Sequence, residues 1–121
     1  MFSARQPSPG RTWPRGQRFV LSPPGIDAEA SYRGAVTSVR SMGRDALTLA
    51  ERRWAEPLGL LPTDGIVMAE IRHGRTALAD IARSLDACGT PAAQVREAVD
   101  RLVEKGLVEA LPPPGPPSAR A

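Results

Sequence analysis

The sequence is poor in cysteine, histidine and aromatic residues, and each shortage excludes a class of protein. The single cysteine, Cys88, has no partner for an internal disulfide and cannot by itself build a cysteine zinc site. The one histidine, His73, has no acidic or thiol neighbour at ligand spacing, so we expect no metal site. Aromatic residues are 4% of the 121 residues, so the sequence predicts one small domain with an aliphatic core.

Motifs for catalysis and membrane insertion are also missing. There is no glycine-rich phosphate loop, no nucleophile beside a base and no recognisable pair of catalytic carboxylates, so we expect a protein that is not an enzyme and uses no cofactor. No apolar run approaches the roughly 20 residues that a membrane helix needs. The N-terminal stretch has arginines but no continuous apolar segment, which argues against a signal peptide. These absences predict a cytoplasmic protein without a membrane partner.

Proline and glycine, 13 and 11 residues, concentrate near the ends of the chain. Residues 1–25 contain arginines and no acid, and they are expected to form a disordered basic arm because they can bury little apolar surface. Within this arm only "FVL" at 19–21 is apolar enough to dock on the domain. Residues 112–121, "PPPGPPSARA", are expected to be a disordered proline-rich tail.

The folded part is predicted at 31–111, with an α+β pattern. The alternation in "RGAVTSVRS" and "ALTLA", separated by "MGRD", predicts an N-terminal β-hairpin over 33–50. Periodic apolar residues then predict three helices, at about 64–73, 77–87 and 91–105. Each of these helices is followed by a glycine that can stop it, and "LVEAL" predicts one short C-terminal strand.

The second and third predicted helices, with the tight "ACGT" connection between them, make a helix-turn-helix. The stretch "LADIARSLDACGTPAAQVREAVDRLVEKGLVEA" resembles the core of winged-helix regulators such as the MarR and GntR families, and the likeness covers about 50 residues. It implies a small winged-helix-type domain that binds DNA and regulates transcription. The sequence does not determine the oligomeric state. A homodimer is possible, although the pattern shows no spare helix through which two chains would dimerise.

In such a domain the N-terminal half of the third helix enters the major groove. The resemblance therefore points to Gln94 for an adenine edge and to Arg96 for a guanine or phosphate. It places DNA contacts at the following six positions: Thr90, Ala93, Gln94, Arg96, Arg75 and Arg83. The charge of the helical region argues partly against DNA binding. Residues 63–110 hold six basic and eight acidic residues, a formal charge of −2. The overall charge of +3 comes from outside the three helices.

A second resemblance points to a different partner. The stretch "LLPTDGIVMAEIRHGRTALADIARSL" is similar to the helical part of PqqD-like peptide-binding domains, although "ERRWAEPLG" is an insertion relative to that family. This likeness implies a peptide or protein that adds a strand to the hairpin edge near Ala35, Thr37 and Val39, beside the groove of the third helix. The two readings differ in whether the predicted hairpin completes a wing or receives a peptide.

Overall fold

Five helices and two short strands make up the part of the chain that the computed structural model describes, residues 13–14 and 16–112. The fold is α+β and mostly helical, with five helices where the sequence predicted three. In chain order the elements are β1 (Phe19–Leu21), α1 (Pro23–Thr37), α2 (Arg44–Ala55), α3 (Pro62–Arg72), α4 (Leu78–Asp86), α5 (Ala92–Glu104) and β2 (Val108–Ala110).

The two strands join the beginning and the end of the folded region. They are antiparallel, with Phe19 opposite Ala110. On its other edge β1 meets the segment before α4, because the Phe19 N–H donates to the Thr76 carbonyl at 2.9 Å and the Leu78 N–H donates to the Gln17 carbonyl at 2.8 Å. β1 therefore lies between this segment and β2, with hydrogen bonds on both sides.

The core is mostly aliphatic, as the composition predicted, but it also includes Phe19, Tyr32 and Trp54. α5 runs through its centre. α5 packs against α3 and α4, while α1 and α2 pack against each other and against α3. Side chains from nearly every element meet in one cluster, to which α5 contributes four fully buried residues, namely Val95, Ala98, Val99 and Leu102. This arrangement leaves α2 on one side of the molecule and the α4–α5 pair on another.

The predicted hairpin at 33–50 was wrong, because α1 and α2 occupy this region. In α1 the buried residues Glu29, Tyr32 and Val36 recur at helical spacing, which outweighs the local alternation of small and β-branched residues. The turn expected at "MGRD" does exist. Gly43 has a φ of 101°, but it connects two helices rather than two strands.

The predicted disordered arm at 1–25 was wrong for residues 16–18 and 22–25, which are ordered. The predicted docking of 19–21 on the domain is confirmed, because these residues form β1 and Phe19 is fully buried. Residues 1–12 and Arg15 lie outside the described residues. Ser22 caps α1: its Oγ accepts the Gly25 N–H at 3.1 Å, and Pro23 stands at the first helical position. A proline there costs nothing because its missing N–H would have no partner in the helix. The Ser22 hydroxyl also donates to the Gly106 carbonyl at 2.5 Å, which ties α1 to the end of α5.

The three helices α3, α4 and α5 lie close to the predicted ranges, and the glycines stop them in the expected way. Gly106 has a φ of 76°, the Gly106 N–H donates to the Val103 carbonyl at 3.0 Å, and the Leu107 N–H donates to the Leu102 carbonyl at 3.0 Å. This is the pair of hydrogen bonds of a Schellman ending. The predicted tail begins at Pro112, and residues 113–121 lie outside the described part.

Two fully or almost fully buried carboxylates hold the helices together. Asp64 on α3 is 0% exposed and accepts two 2.8 Å hydrogen bonds from the Arg101 guanidinium on α5. The Leu61 N–H donates to the same carboxylate at 2.8 Å. Glu29 on α1 is likewise buried and receives Arg72 of α3, with 3.1 Å between Nε and Oε2. α3 is thus fastened by ion pairs to the helices on both of its sides.

One close approach in the helical layer depends on glycine. Gly65 on α3 lies under the Tyr32 ring, and a Cβ at this position would lie 2.4 Å from a ring carbon. Tyr32 also packs edge-on against Trp54 of α2, with 5.0 Å between the ring centroids. α1, α2 and α3 therefore meet at an aromatic pair that leaves no room for a side chain at position 65.

Candidate nucleic-acid interface

α4 and α5 are consecutive helices that pack against each other, and the short turn between them is built around a glycine. Gly89 has a φ of 93°, and the Thr90 N–H donates to the Leu85 carbonyl at 2.9 Å, which closes α4. The N-cap of α5 is Pro91, and Thr90 lies one residue before it. Cys88, in the same turn, is exposed.

The first two turns of α5 present a row of exposed side chains. Ala93, Gln94 and Arg96 are exposed, whereas Val95 is fully buried and fixes the rotation of the helix. Thr90 is half-buried in the preceding turn. Three of the four positions predicted for DNA contact around the start of α5 are thus exposed. These three residues, together with the exposed Arg83 of α4, form the front of the α4–α5 pair.

Arg83 and Arg96 lie on the same groove between α4 and α5. The groove has a volume of about 450 Å³, and small side chains such as Ala82 and Ala92 form part of its lining. Arg83 pairs with Asp80 at 3.2 Å, and both side chains are largely exposed at 73% and 51%. Arg96 makes no ion pair with any residue of the described ranges, so its guanidinium is free to bind an anion.

Arg75 does not belong to this groove. It follows α3, where its Nε lies 3.3 Å from Oε1 of Glu70. The six predicted DNA-contact residues are therefore distributed over two places, the front of the α4–α5 pair and the loop after α3. The front of the pair combines an exposed helix surface with two arginines that line one groove.

Trp13 lines the groove between α4 and α5, a position that the sequence did not predict. Its indole N–H donates to Asp100 on α5 at 2.7 Å. Its ring also packs edge-on against Phe19 of β1, with 5.1 Å between centroids. Trp13 thus lies between β1 and α5. No periodicity signalled this contact, because Trp13 stands alone among polar and proline residues.

Comparisons with models of protein families, with curated proteins and with solved structures found no match to this chain. The geometry described above is therefore the basis of the functional proposal.

The edge predicted for peptide docking does not exist at the predicted place. Ala35 and Thr37 lie within α1, and Val39 lies in the turn that follows it. A helix uses its own backbone N–H and carbonyl groups internally and offers no open ladder to an incoming strand. The prediction failed with the hairpin on which it rested.

An open strand edge does exist on β2. The Leu111 N–H donates to the Arg18 carbonyl at 2.8 Å and the Leu107 carbonyl accepts the Ser22 N–H at 3.0 Å, so the odd-numbered residues of this stretch face β1. By the alternation of an antiparallel ladder, the backbone groups of Val108 and Ala110 face away from β1. Within the described residues no further strand pairs with β2.

Two other features bear on function. Among residues 13–14 and 16–112 no three side chains of His, Cys, Asp or Glu converge where a metal ion could bind. The described helices include none with the length and apolar character of a membrane span.

Proposed function

We propose that this protein is a non-enzymatic DNA-binding protein of the helix-turn-helix class that regulates transcription. The observation that carries the proposal is the exposed start of α5, where Gln94 and Arg96 are both accessible and the unpaired Arg96 lines one groove with Arg83 of α4. An exposed helix with donors on its first turns, beside one unpaired arginine and one arginine in an exposed ion pair, has the chemistry needed to read base edges and hold phosphates.

The sheet supports a winged-helix-type architecture behind this surface. In the proposed arrangement β2 is the strand that follows the recognition helix, and β1 takes the place of the second wing strand. β1 comes from the N-terminal side of the chain and lies between Ala77 and β2, with Arg18 bridged to Ala77. In this arrangement the second wing strand, which was predicted within 33–50, is formed instead by residues 19–21.

The reading mechanism follows from the positions of the side chains. α5 enters the major groove by its N-terminal half, where the small Ala93 allows close approach and Gln94 bonds an adenine edge. Arg96 donates hydrogen bonds to a guanine or to a phosphate. Arg83 and Thr90 donate to phosphates of the DNA backbone beside the major groove. The exposed acid Glu97 follows Arg96 directly, whereas Asp100 lies one turn farther along α5 and accepts the Trp13 indole N–H.

The test is selection of binding sites from a random pool of duplex DNA, using the full chain. We compare the wild type with Gln94→Ala/Arg96→Ala and with a control, Thr37→Ala/Arg40→Ala. The control removes one polar and one cationic side chain that are exposed at the end of α1 and in the turn beyond it, away from α4 and α5. We expect the wild type and the control to enrich one common sequence, and the α5 variant to enrich none.

Fluorescence anisotropy against the enriched site, over a salt series, then measures each contact. Arg96→Ala should weaken binding by about 1–3 kcal/mol if the arginine bonds a base, and Arg83→Ala should reduce the salt slope by about 1. No enrichment by the wild type, with binding abolished in Arg5→Ala/Arg11→Ala, would mean attraction by the N-terminal charges alone and would refute the proposal. Absence of any binding at low salt would refute it as well.

The second candidate is a peptide-binding module of PqqD-like character, and the open edge of β2 favours it. A partner strand would add beside Val108 and Ala110 by main-chain hydrogen bonds. A groove of about 570 Å³ lies beside the segment that leads into β2. Its lining includes Lys105, Leu107 and residues of α1. Ala110→Pro removes an outward N–H and leaves the β1-facing N–H groups intact. It should abolish binding of peptides that the wild type selects from a random phage-displayed library.

A further inference from the structure

The outward face of α2 has a charge pattern that fits a second copy of itself. α2 packs on α1 and α3 through Leu47, Trp54 and Ala55. Its opposite side is exposed and carries Asp45, Leu49 and Arg53, which follow one another at intervals of four residues. Residues at this spacing share one helix face.

Apolar side chains on this face are open to solvent. Leu49 is 44% exposed at the centre of the helix, and Met42, in the turn just before α2, is 67% exposed. A single exposed leucine is common on protein surfaces and indicates nothing alone. Its position midway between an acid and a base is what defines the face.

Two-fold symmetry makes this face complementary to itself. When two copies of α2 cross antiparallel at Leu49, each residue four positions before the centre meets the residue four positions after it in the other copy. Asp45 of one copy then faces Arg53 of the other, twice, because an isologous contact repeats every interaction. A parallel pairing would instead place Asp45 against Asp45 and Arg53 against Arg53, which is repulsive.

Asp45 and Arg53 are both available to a partner. Asp45 and Arg53 form no ion pair with any residue of 16–112, whereas Glu51 on the adjoining face accepts the Tyr32 hydroxyl at 2.9 Å. Both Asp45 and Arg53 are exposed. The pair is therefore available for an intermolecular contact.

We propose that a second copy of this chain docks on the α2 face (Asp45, Leu49 and Arg53) in antiparallel orientation to form a homodimer. The contact is one helix wide, so the dimer is weak and depends on protein concentration. It also weakens as salt rises, because its specificity comes from exposed charges. The α4–α5 pair lies elsewhere on the molecule, so this proposal does not depend on the proposed function.

Sedimentation velocity of the full chain at low salt, over a wide concentration range, is the test, with circular dichroism of each variant as a check on folding. Wild type should dimerise. Asp45→Arg alone and Arg53→Asp alone should be monomers, because each places like charges opposite each other. The double variant Asp45→Arg/Arg53→Asp should dimerise again. As a matched control, Arg44→Asp makes the same charge change on a different side of α2 and should leave the dimer intact.

Mixing the two single variants gives the decisive result. An Asp45→Arg chain carries two arginines on the face and an Arg53→Asp chain carries two aspartates, so an equimolar mixture should form heterodimers although neither variant dimerises alone. A monomeric wild type at every concentration would overturn the proposal. So would a wild-type dimer whose single variants still dimerise, or a mixture that stays monomeric, since the contact would then lie on another face.

Discussion

Replacing Arg101 by methionine isolates the contribution of the buried ion pair between α3 and α5. The methionine keeps much of the aliphatic stem but removes both hydrogen bonds to Asp64, each 2.8 Å long. The carboxylate would remain 0% exposed with the Leu61 N–H as its only described donor. Leaving a buried charge without its partner costs about 3–5 kcal/mol. Removing Asp64 instead should cost less, because Arg101 is 27% exposed and can turn toward water.

The strength of this pair is also visible in the guanidinium itself. The hydrogen bonds to Asp64 raise the pKa of Arg101 above its ordinary value, although partial burial acts in the opposite direction. A loss of about 3–5 kcal/mol would be a large part of the 5–15 kcal/mol that stabilises a typical domain. The variant should therefore unfold at a clearly lower urea concentration than the wild type.

Urea unfolding followed by circular dichroism measures these free energies, with Arg83→Met as a matched control. Arg83 pairs with Asp80 at an exposed position, so the same substitution there should change stability by no more than about 0.5 kcal/mol. The double variant Asp64→Leu/Arg101→Met should recover much of the loss, because two apolar groups replace two charges. The reasoning would be refuted if Arg101→Met cost no more than Arg83→Met, or if the double variant were as unstable as the sum of the single ones.

Three further predictions concern stability. Ser22→Ala should lower the free energy of unfolding by about 0.5–2 kcal/mol, measured in urea, since it removes the α1 cap; an unchanged midpoint would contradict the capping role. Gly65→Ala should destabilise by about 1–3 kcal/mol through its clash with the Tyr32 ring, whereas Gly34→Ala, which meets nothing within 4 Å, should stabilise by about 0.5–1 kcal/mol. Burial, and then the hydrogen bond to Glu51, raise the pKa of Tyr32 above its ordinary value of 10.0. The stability from this shift is fully present below the unfolded pKa of about 10 and is lost as pH rises through the folded pKa. Tyr32 is the only tyrosine, so absorbance at 295 nm should show its ionisation coinciding with alkaline unfolding, and ionisation of the folded protein near its ordinary value would contradict this.

The positions of α3, α4 and α5 could be predicted from sequence because their ends and buried faces depend on nearby residues. The glycines at 74, 89 and 106 stop α3, α4 and α5, and the left-handed backbone they adopt is one that few other residues tolerate. The apolar stripe of α5 likewise identified its buried face, which in turn left Gln94 and Arg96 exposed. A helix whose stripe and stop are both strong can be placed from sequence because both depend on neighbouring residues.

The N-terminal half was misread because two local signals competed. Alternation over five to nine residues favoured strands, but Glu29, Tyr32 and Val36 form a helical stripe that includes a buried acid. The buried Glu29 looks polar in sequence. Its carboxylate pairs with Arg33, four residues later, and with Arg72, 43 residues away, and the second partner follows from no local pattern. The serine cap and the proline at the start of α1 were present in the sequence and were outweighed by the surrounding prolines and glycines.

The contacts that build the candidate interface could not be predicted from sequence at all. Trp13 and Asp100 are 87 residues apart, and their hydrogen bond depends on how β1 positions the preceding segment. Arg83 and Arg96 belong to different helices, and their common groove depends on the turn at Gly89. Such proximities follow from the tertiary packing and not from any pattern in one stretch of chain.

The pairing of β1 with β2 determines when this domain can fold during synthesis. Phe19 leaves the ribosome early, but its partner Ala110 follows 91 residues later in the chain. Until then β1 has only the segment before α4 beside it, and α1 lacks the anchor that Ser22 makes to Gly106. Contacts between such distant residues form slowly because a long loop must close first. The nascent chain should therefore build its helices progressively and acquire its final stability in one step, when the last strand emerges and closes the sheet.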